Sequence, residues 1–379
     1  MKKVGYLTLL LLLWVGVAQA TPLLIPAAPQ IAARGYILID YHSGRVLAEK
    51  DADKRMPPAS LTKLMTAYVV FHELKAGHIH MDDMVTVSKK AWKTGGSRMF
   101  LEVGTKVSVR DLLIGMLVDS GNDAAVALSQ YVAGGEDSFT SLMNEYAHKL
   151  GMTNTHYVNA TGLTNSPDHY TTPRDLTLLA TAIIRQFPEY YHFFSIKKFT
   201  YDHITQNNWN ILLFRDPNVD GMKTGHTEAA GYCLVASAKE GKMRLISAVM
   251  GTDSENARAS QSQKLLNYGF RFYETHKLYA AGAPLKTMRV WKGERENLTL
   301  GLAKPLYVTV PRGGYKQLKA TMTVPATLEA PVSKGSKLGT VNIKLDGSML
   351  AQRPLVALQS IPEGGIMRRM VDSVMLLLH

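Results

Sequence analysis

An α+β fold is what this 379-residue sequence predicts: an antiparallel sheet with a helical cluster between its strands, then a small all-β domain and a terminal amphipathic helix. Three observations carry the expectation. Hairpin-like segments stand at both ends of a first region whose middle has helical periodicity, so its sheet must be closed by chain-distant segments. After Tyr279-Ala280-Ala281-Gly282-Ala283-Pro284 the pattern changes to short alternating runs. The last residues separate apolar from charged side chains at helical spacing.

The elements follow in order. Met1-Lys2-Lys3, an apolar run from Val4 to Val17 and Ala18-Gln19-Ala20 read as a secretory signal peptide over residues 1–20, the run being short of the ~20 residues a spanning helix needs. The first domain is expected over 21–279, with Thr21 to Arg34 as an extended lead-in. Gly35 to Asp40 and Arg45 to Glu49 flank Tyr41-His42-Ser43-Gly44 as a hairpin. Pro57 and Pro58 precede a helix marked by Leu61, Leu64, Met65, Tyr68, Val69 and Leu74, and Gly77 ends it. Further helices are expected at Val109 to Val118, Asn122 to Val132, Phe139 to Leu150 and Pro173 to Arg185. Gly231 to Ala238 and Arg244 to Met250 form a second hairpin around a turn at 239–242, and Ser260 to Glu274 reads as helix. The β-rich domain, 280–360, is expected to hold strands at Leu306 to Val310, Leu318 to Val324, Leu338 to Leu345 and Leu355 to Leu358. In the tail, 361–379, Ile366, Met367, Met370, Val371, Val374, Met375, Leu377 and Leu378 share one face, opposite Arg368, Arg369, Asp372 and Ser373. Such a helix suits the plane of an anionic membrane surface better than a crossing of it.

Composition narrows the function. An apolar share of 46% excludes disorder, and 30 glycines with 16 prolines exclude collagen-like and low-complexity chains. The single cysteine, Cys233, excludes an intrachain disulfide framework and any multi-cysteine metal site. Among twelve histidines there is no His-Glu-x-x-His, and His78 with His80 is a lone pair in a polar loop, so no metal and no cofactor are expected. The formal charge of +12 calls for an anionic partner. An exported chain, +10 once Lys2 and Lys3 are removed, meets anionic lipid and cell-wall polymer rather than nucleic acid. Those features point to the bacterial envelope.

Three short motifs carry chemistry. Ser60-Leu61-Thr62-Lys63 places a hydroxyl and an amine on one face of a helical turn. An amine that loses its proton on desolvation is one of the few ways to activate serine without histidine. Ser195 and Lys198 have the same spacing but sit in a polar stretch with no apolar helix behind them. Lys-Thr-Gly occurs at 93–95, in a polar loop, and at 223–225, where it is expected to open a strand. There a cation, a hydroxyl and a glycine that lets a ligand approach make a seat for an extended peptide ending in a carboxylate. Ser120-Gly121-Asn122 lies between two helices, where an N-cap is the plain alternative.

In this order and setting, the motifs resemble the active site shared by penicillin-binding proteins and serine β-lactamases. The wider stretches Pro58-Ala59-Ser60-Leu61-Thr62-Lys63-Leu64-Met65, Ser120-Gly121-Asn122-Asp123-Ala124 and Val219 to Thr227 with Ala230-Gly231-Tyr232 are most similar to the low-molecular-mass serine D-alanyl-D-alanine carboxypeptidases, the branch of penicillin-binding proteins 5, 6 and 6b. Gly121, where many lactamases carry Asp, fits that branch. The resemblance implies a penicillin-binding/β-lactamase-like transpeptidase domain and removal of the terminal D-alanine from peptidoglycan pentapeptide stems. It implies Ser60 as nucleophile, Lys63 as base and Ser120 as proton relay. Asn122 would hold the substrate amide, Lys223 would supply positive potential, and Thr224 and Arg258 would bind the terminal carboxylate. Gly225 completes the strand motif, and backbone N–H groups of Ser60 and His226 would form an oxyanion hole. β-Lactams would act as covalent inhibitors. A β-lactamase is disfavoured by the lack of any glutamate between Tyr146 and Pro188. A D,D-endopeptidase shares the three motifs, whereas a non-catalytic scaffold has no need of an activated nucleophile.

Overall fold

The computed structural model describes residues 25–378, so the signal peptide expected at 1–20 lies outside the described residues. Strands β1 (Gly35–Asp40) and β2 (Val46–Lys50) form the first hairpin. The helical middle holds α1 (Lys63–Ala76), α2 (Val109–Val118), α3 (Asn122–Ala133), α4 (Glu136–Lys149) and α5 (Pro173–Gln186). Two small ribbons decorate it, Met84–Thr86 with Lys106–Ser108 and Lys198–Tyr201 with Ile204–Asn207. Then come β3 (Val219–Thr227), β4 (Gly231–Glu240), β5 (Met243–Thr252) and α6 (Glu255–Phe272).

The antiparallel sheet has the order β2-β1-β5-β4-β3, closed as expected by pairing chain ends, with Ile37 opposite Ala248. Side chains alternate across it. Ile37, Val235, Ile246 and Ala248 face the helical cluster, whereas Leu38, Leu234, Leu245 and Val249 pack against Ala259, Leu265 and Leu266 of α6. Both faces are thus buried, and β3 is left as an edge beside the start of α1.

The second hairpin turns on only two residues, Gly241 and Lys242, because Glu240 still pairs with Met243. Gly241 has φ +56°, which glycine adopts without the Cβ penalty. The last helix of this region begins at Glu255 rather than Ser260, since Ser254 caps it by accepting the Ala257 N–H. It ends at Phe272 rather than Glu274: Tyr273–Tyr279 is strand β6, which pairs with β9 (Leu306–Pro311).

The β-rich region carries β7 (Lys286–Arg289), β8 (Asn297–Gly301), β10 (Leu318–Thr323), β11 (Lys337–Leu345) and β12 (Ser348–Ala357), in the sheet order β7-β8-β12-β11-β10. Strand β12 begins seven residues before the expected Leu355. Pro354 suggests a break in the sequence, but β8 pairs only with Val356 and Ala357, so the proline lies where that side of β12 needs no N–H. The terminal helix α7 (Ile366–Leu377) forms, while Ile361 and Gly364 before it are bonded to Val332 and Lys292. Asp372 is buried and accepts the Lys292 N–H at 2.6 Å, so the polar side of α7 faces the protein and its apolar side faces out. No described helix is long and apolar enough to cross a membrane.

Candidate active site

Ser60 stands in a 3-10 turn, Ala59–Thr62, that runs into α1. Three residues on, Lys63 is fully buried, and its Nζ lies 2.8 Å from Ser60 Oγ. The same nitrogen lies 2.6 Å from Asn122 Oδ1 and 3.1 Å from the Thr161 carbonyl. Asn122 Nδ2 donates to the Gly95 carbonyl at 2.7 Å, which requires the amide oxygen to face the lysine. Both of those partners only accept, so they hold two hydrogens of Nζ and leave its third direction on Ser60 Oγ. Burial pushes the amine down to about 7, with the charge of Asp123 opposing.

Ser120 joins α2 to α3 with φ +61°, a region non-glycine residues seldom occupy. It does not cap α3, whose N-cap position is Gly121. Instead Ser120 Oγ lies 2.9 Å from Lys223 Nζ. Lys223-Thr224-Gly225 sits in the middle of β3 rather than at its start. A Cβ on Gly225 would stand 2.9 Å from the Pro58 carbonyl, so glycine is what lets the strand lie against the turn that carries Ser60. Burial first, then the charges of Lys63 and Arg258, push the Lys223 amine well below its ordinary range, with Asp119 opposing. Asp119 is pushed up to about 7 by burial and by Asp123.

Arg258 is not a surface arginine: it is 3% exposed in the first turn of α6. Its guanidinium reaches the Trp209 carbonyl at 3.3 Å and lies 5.7 Å from the Tyr232 ring. His226 stacks on Tyr232 with centroids 3.9 Å apart, which occupies one face of its ring. Ser60, Ser120, Thr224, Gly225, His226 and Arg258 line one cleft of about 180 Å³. All nine residues expected from the sequence meet in or behind it. Ser195, which shares the serine–lysine spacing, donates to the His192 carbonyl in an exposed turn. Lys93-Thr94-Gly95, the other copy of the strand motif, contributes only a backbone oxygen, through Gly95.

Sequence reasoning missed the supporting groups. Asp123 accepts the N–H groups of Met99 and Leu101 at 2.9 and 3.1 Å and so fixes the loop at the cleft mouth. Thr161 is presented by a turn in which Asn159 Oδ1 accepts the N–H groups of Thr161 and Gly162. Asn159-Ala160-Thr161-Gly162 was a visible turn signal, but nothing local says which carbonyl it delivers, or where. Trp209 and Tyr232 complete the walls. Among the described residues no group of His, Cys, Asp and Glu could hold a metal ion.

A sheet edge beside a buried lysine and a seryl hydroxyl defines a serine acyl-transfer enzyme. Residues 23–254 match the Peptidase S11 family, D-alanyl-D-alanine carboxypeptidase, and residues 273–363 match the penicillin-binding protein 5 C-terminal domain. The chain is 45% identical to D-alanyl-D-alanine carboxypeptidase DacA of Escherichia coli K12, over 100% of this chain and 97% of that protein. It is 48% identical to DacC of the same strain, over 93% of this chain and 90% of that one. The crystal structure of penicillin binding protein 5 from Haemophilus influenzae superposes with a TM-score of 0.86 at 42% identity, covering 89% of this chain and all of that one. The chain therefore belongs to the Peptidase S11 family of D-alanyl-D-alanine carboxypeptidases, the family its motifs resemble.

Proposed function

We propose that this carboxypeptidase removes the last D-alanine of peptidoglycan pentapeptide stems through an acyl-enzyme on Ser60. The carrying observation is Lys63, whose amine has two hydrogens held by pure acceptors, its third direction on Ser60 Oγ, and a proton affinity low enough to be neutral above pH 7. In this reading Ser60 Oγ attacks the carbonyl between the two D-alanines as its proton passes to Nζ. The Ser60 and His226 N–H groups receive the oxyanion. Collapse breaks the C–N bond as the proton taken by Lys63 passes through the Ser120 hydroxyl to the departing amine, which returns both residues to their starting state. Water then cleaves the ester and restores Ser60.

Asn122 holds the substrate amide, and Thr224 and Arg258 take the terminal carboxylate. That anion also offsets the penalty on a charged Lys223 beside it. A β-lactam presents a strained amide and a carboxylate with the same spacing and is a covalent inhibitor in this reading. The outward apolar face of α7, bordered by Arg368 and Arg369, supports attachment to anionic lipid on the periplasmic side of the inner membrane. Incubating the soluble enzyme with a D-Ala-D-Ala pentapeptide and measuring released D-alanine tests the reading. Ser60→Ala should release none. Release by that variant, or a penicillin label found on Ser195, overturns it.

A further inference from the structure

One side chain ties together the two backbone pieces that flank the nucleophile. His169 is buried, and its Nδ1 lies 3.0 Å from the Val158 amide nitrogen. An amide N–H can only donate, so Nδ1 accepts and the ring hydrogen sits on Nε2. That nitrogen lies 2.8 Å from Thr62 Oγ1, which lies 2.8 Å from the Ala59 carbonyl. A carbonyl can only accept. The donors therefore run in one sense, from Val158 to His169, from His169 to Thr62 and from Thr62 to Ala59. Burial pushes the imidazole down to about 4, which keeps it neutral and preserves this order at ordinary pH.

The end of the chain of bonds matters because of the peptide plane. The Ala59 C=O and the Ser60 N–H belong to one trans peptide, so fixing the direction of the first fixes the second. Ala59 has φ +49°, which alanine does not adopt without support from its surroundings. Gly162 closes on the same carbonyl, where a Cβ would collide with it. His169 also holds the Val158 end of the segment that lends the Thr161 carbonyl to Lys63.

We propose that His169 is a positioning residue for acylation, aiming the Ser60 N–H through Thr62 and the Ala59 carbonyl. It touches neither substrate nor reacting atoms. The inference rests on Ser60 being the nucleophile.

The test uses the mature enzyme and a fluorescent penicillin, with stopped-flow kinetics separating the non-covalent Kd from the acylation rate constant, and melting temperatures measured alongside. His169→Gln sets an amide nitrogen near the position of Nε2 and retains the donor to Thr62. His169→Asn sets an amide oxygen near Nδ1, retains the acceptor for Val158 and leaves Thr62 without a donor. The Asn variant and Thr62→Val should each slow acylation about 10- to 100-fold at unchanged Kd, as expected for a misaimed oxyanion donor. His169→Gln should recover the rate to within about threefold, and the double variant His169→Asn, Thr62→Val should be no slower than either single one, since both break one chain of bonds. Should His169→Asn fail to fold, Thr62→Val carries the comparison. Equal slowing by Gln and Asn, additive losses, or rates that follow the melting temperature overturn the proposal. Mapping the label separates this failure from that of the nucleophile itself. A wild-type enzyme labelled at Ser60 with indifferent variants rejects only the role of His169, whereas a wild-type enzyme labelled elsewhere rejects both.

Discussion

Helices α1 and α7 are of similar length and treat water in opposite ways. Helix α1 buries most of its residues, and among them is the cation Lys63. Helix α7 buries only Asp372 and turns Met367 and Leu377 outward, at 80% and 87% exposed. A buried charge is expensive unless it is bonded or neutralised, and an exposed apolar stripe forfeits about 25 cal/mol per Å² left in water. Each helix violates the usual sorting of polar and apolar side chains. At Lys63 desolvation lowers the proton affinity of the amine, with three polar partners around it. At α7 the hydrogen-bonded Asp372 anchors the polar side, and the apolar side is left exposed.

The contrast breaks most sharply at Lys63. Lys63→Ala should lower penicillin acylation at least about a thousandfold, because it removes the base from an otherwise weak nucleophile. Lys63→Arg should be equally inactive despite keeping the charge, since a guanidinium does not deprotonate. The two are compared by mass spectrometry of the Ser60 peptide, and an active Arg variant would show that the role of the residue is only electrostatic. The sign of the pH effect follows from the lowered proton affinity. The base must be neutral, so wild-type acylation should rise about tenfold per unit below an inflection near pH 7 and level off above it. A profile falling with pH across that range would mean that the protonated amine is the working form.

A smaller effect is expected at Arg258, a buried cation that keeps its charge. Arg258→Ala should cost on the order of 2–5 kcal/mol in kcat/KM for peptides ending in D-alanine, and far less for an uncharged thioester. Equal losses on both substrates would make its role structural. The smallest effect on chemistry is expected from α7. Removal of residues 366–379 should leave kcat/KM within about twofold while abolishing sedimentation with anionic vesicles. The cut begins at Ile366 because Ile361 is part of the β-rich core. Vesicle binding that survives the deletion would assign attachment to another surface.

Much of the site was legible because its key distances are local. Ser60 and Lys63 meet through one helical turn, and the apolar periodicity behind them separated this pair from Ser195 and Lys198. Arg258 was legible as a candidate but not as a buried one, because Ser254 was not recognised as the cap that starts α6 five residues early. Asp123 and Thr161 escaped notice since each acts through a backbone group whose destination lies far along the chain. In the β-rich domain the last strand was expected only from Leu355, whereas its pairing with β11 carries it back to Ser348, through Pro354.

By itself, then, the sequence determined the helical middle between two hairpins, Ser60 and Lys63 on one turn, and the two-faced tail, all set by neighbours within a few residues. Only the tertiary structure decided that Lys63 loses its proton near neutrality, that Gly225 brings β3 against the turn of Ser60, and that α7 rests on its polar side. Those outcomes depend on desolvation and on contacts between segments about 60 to 170 residues apart, and no spacing along a chain encodes how much water a folded site excludes.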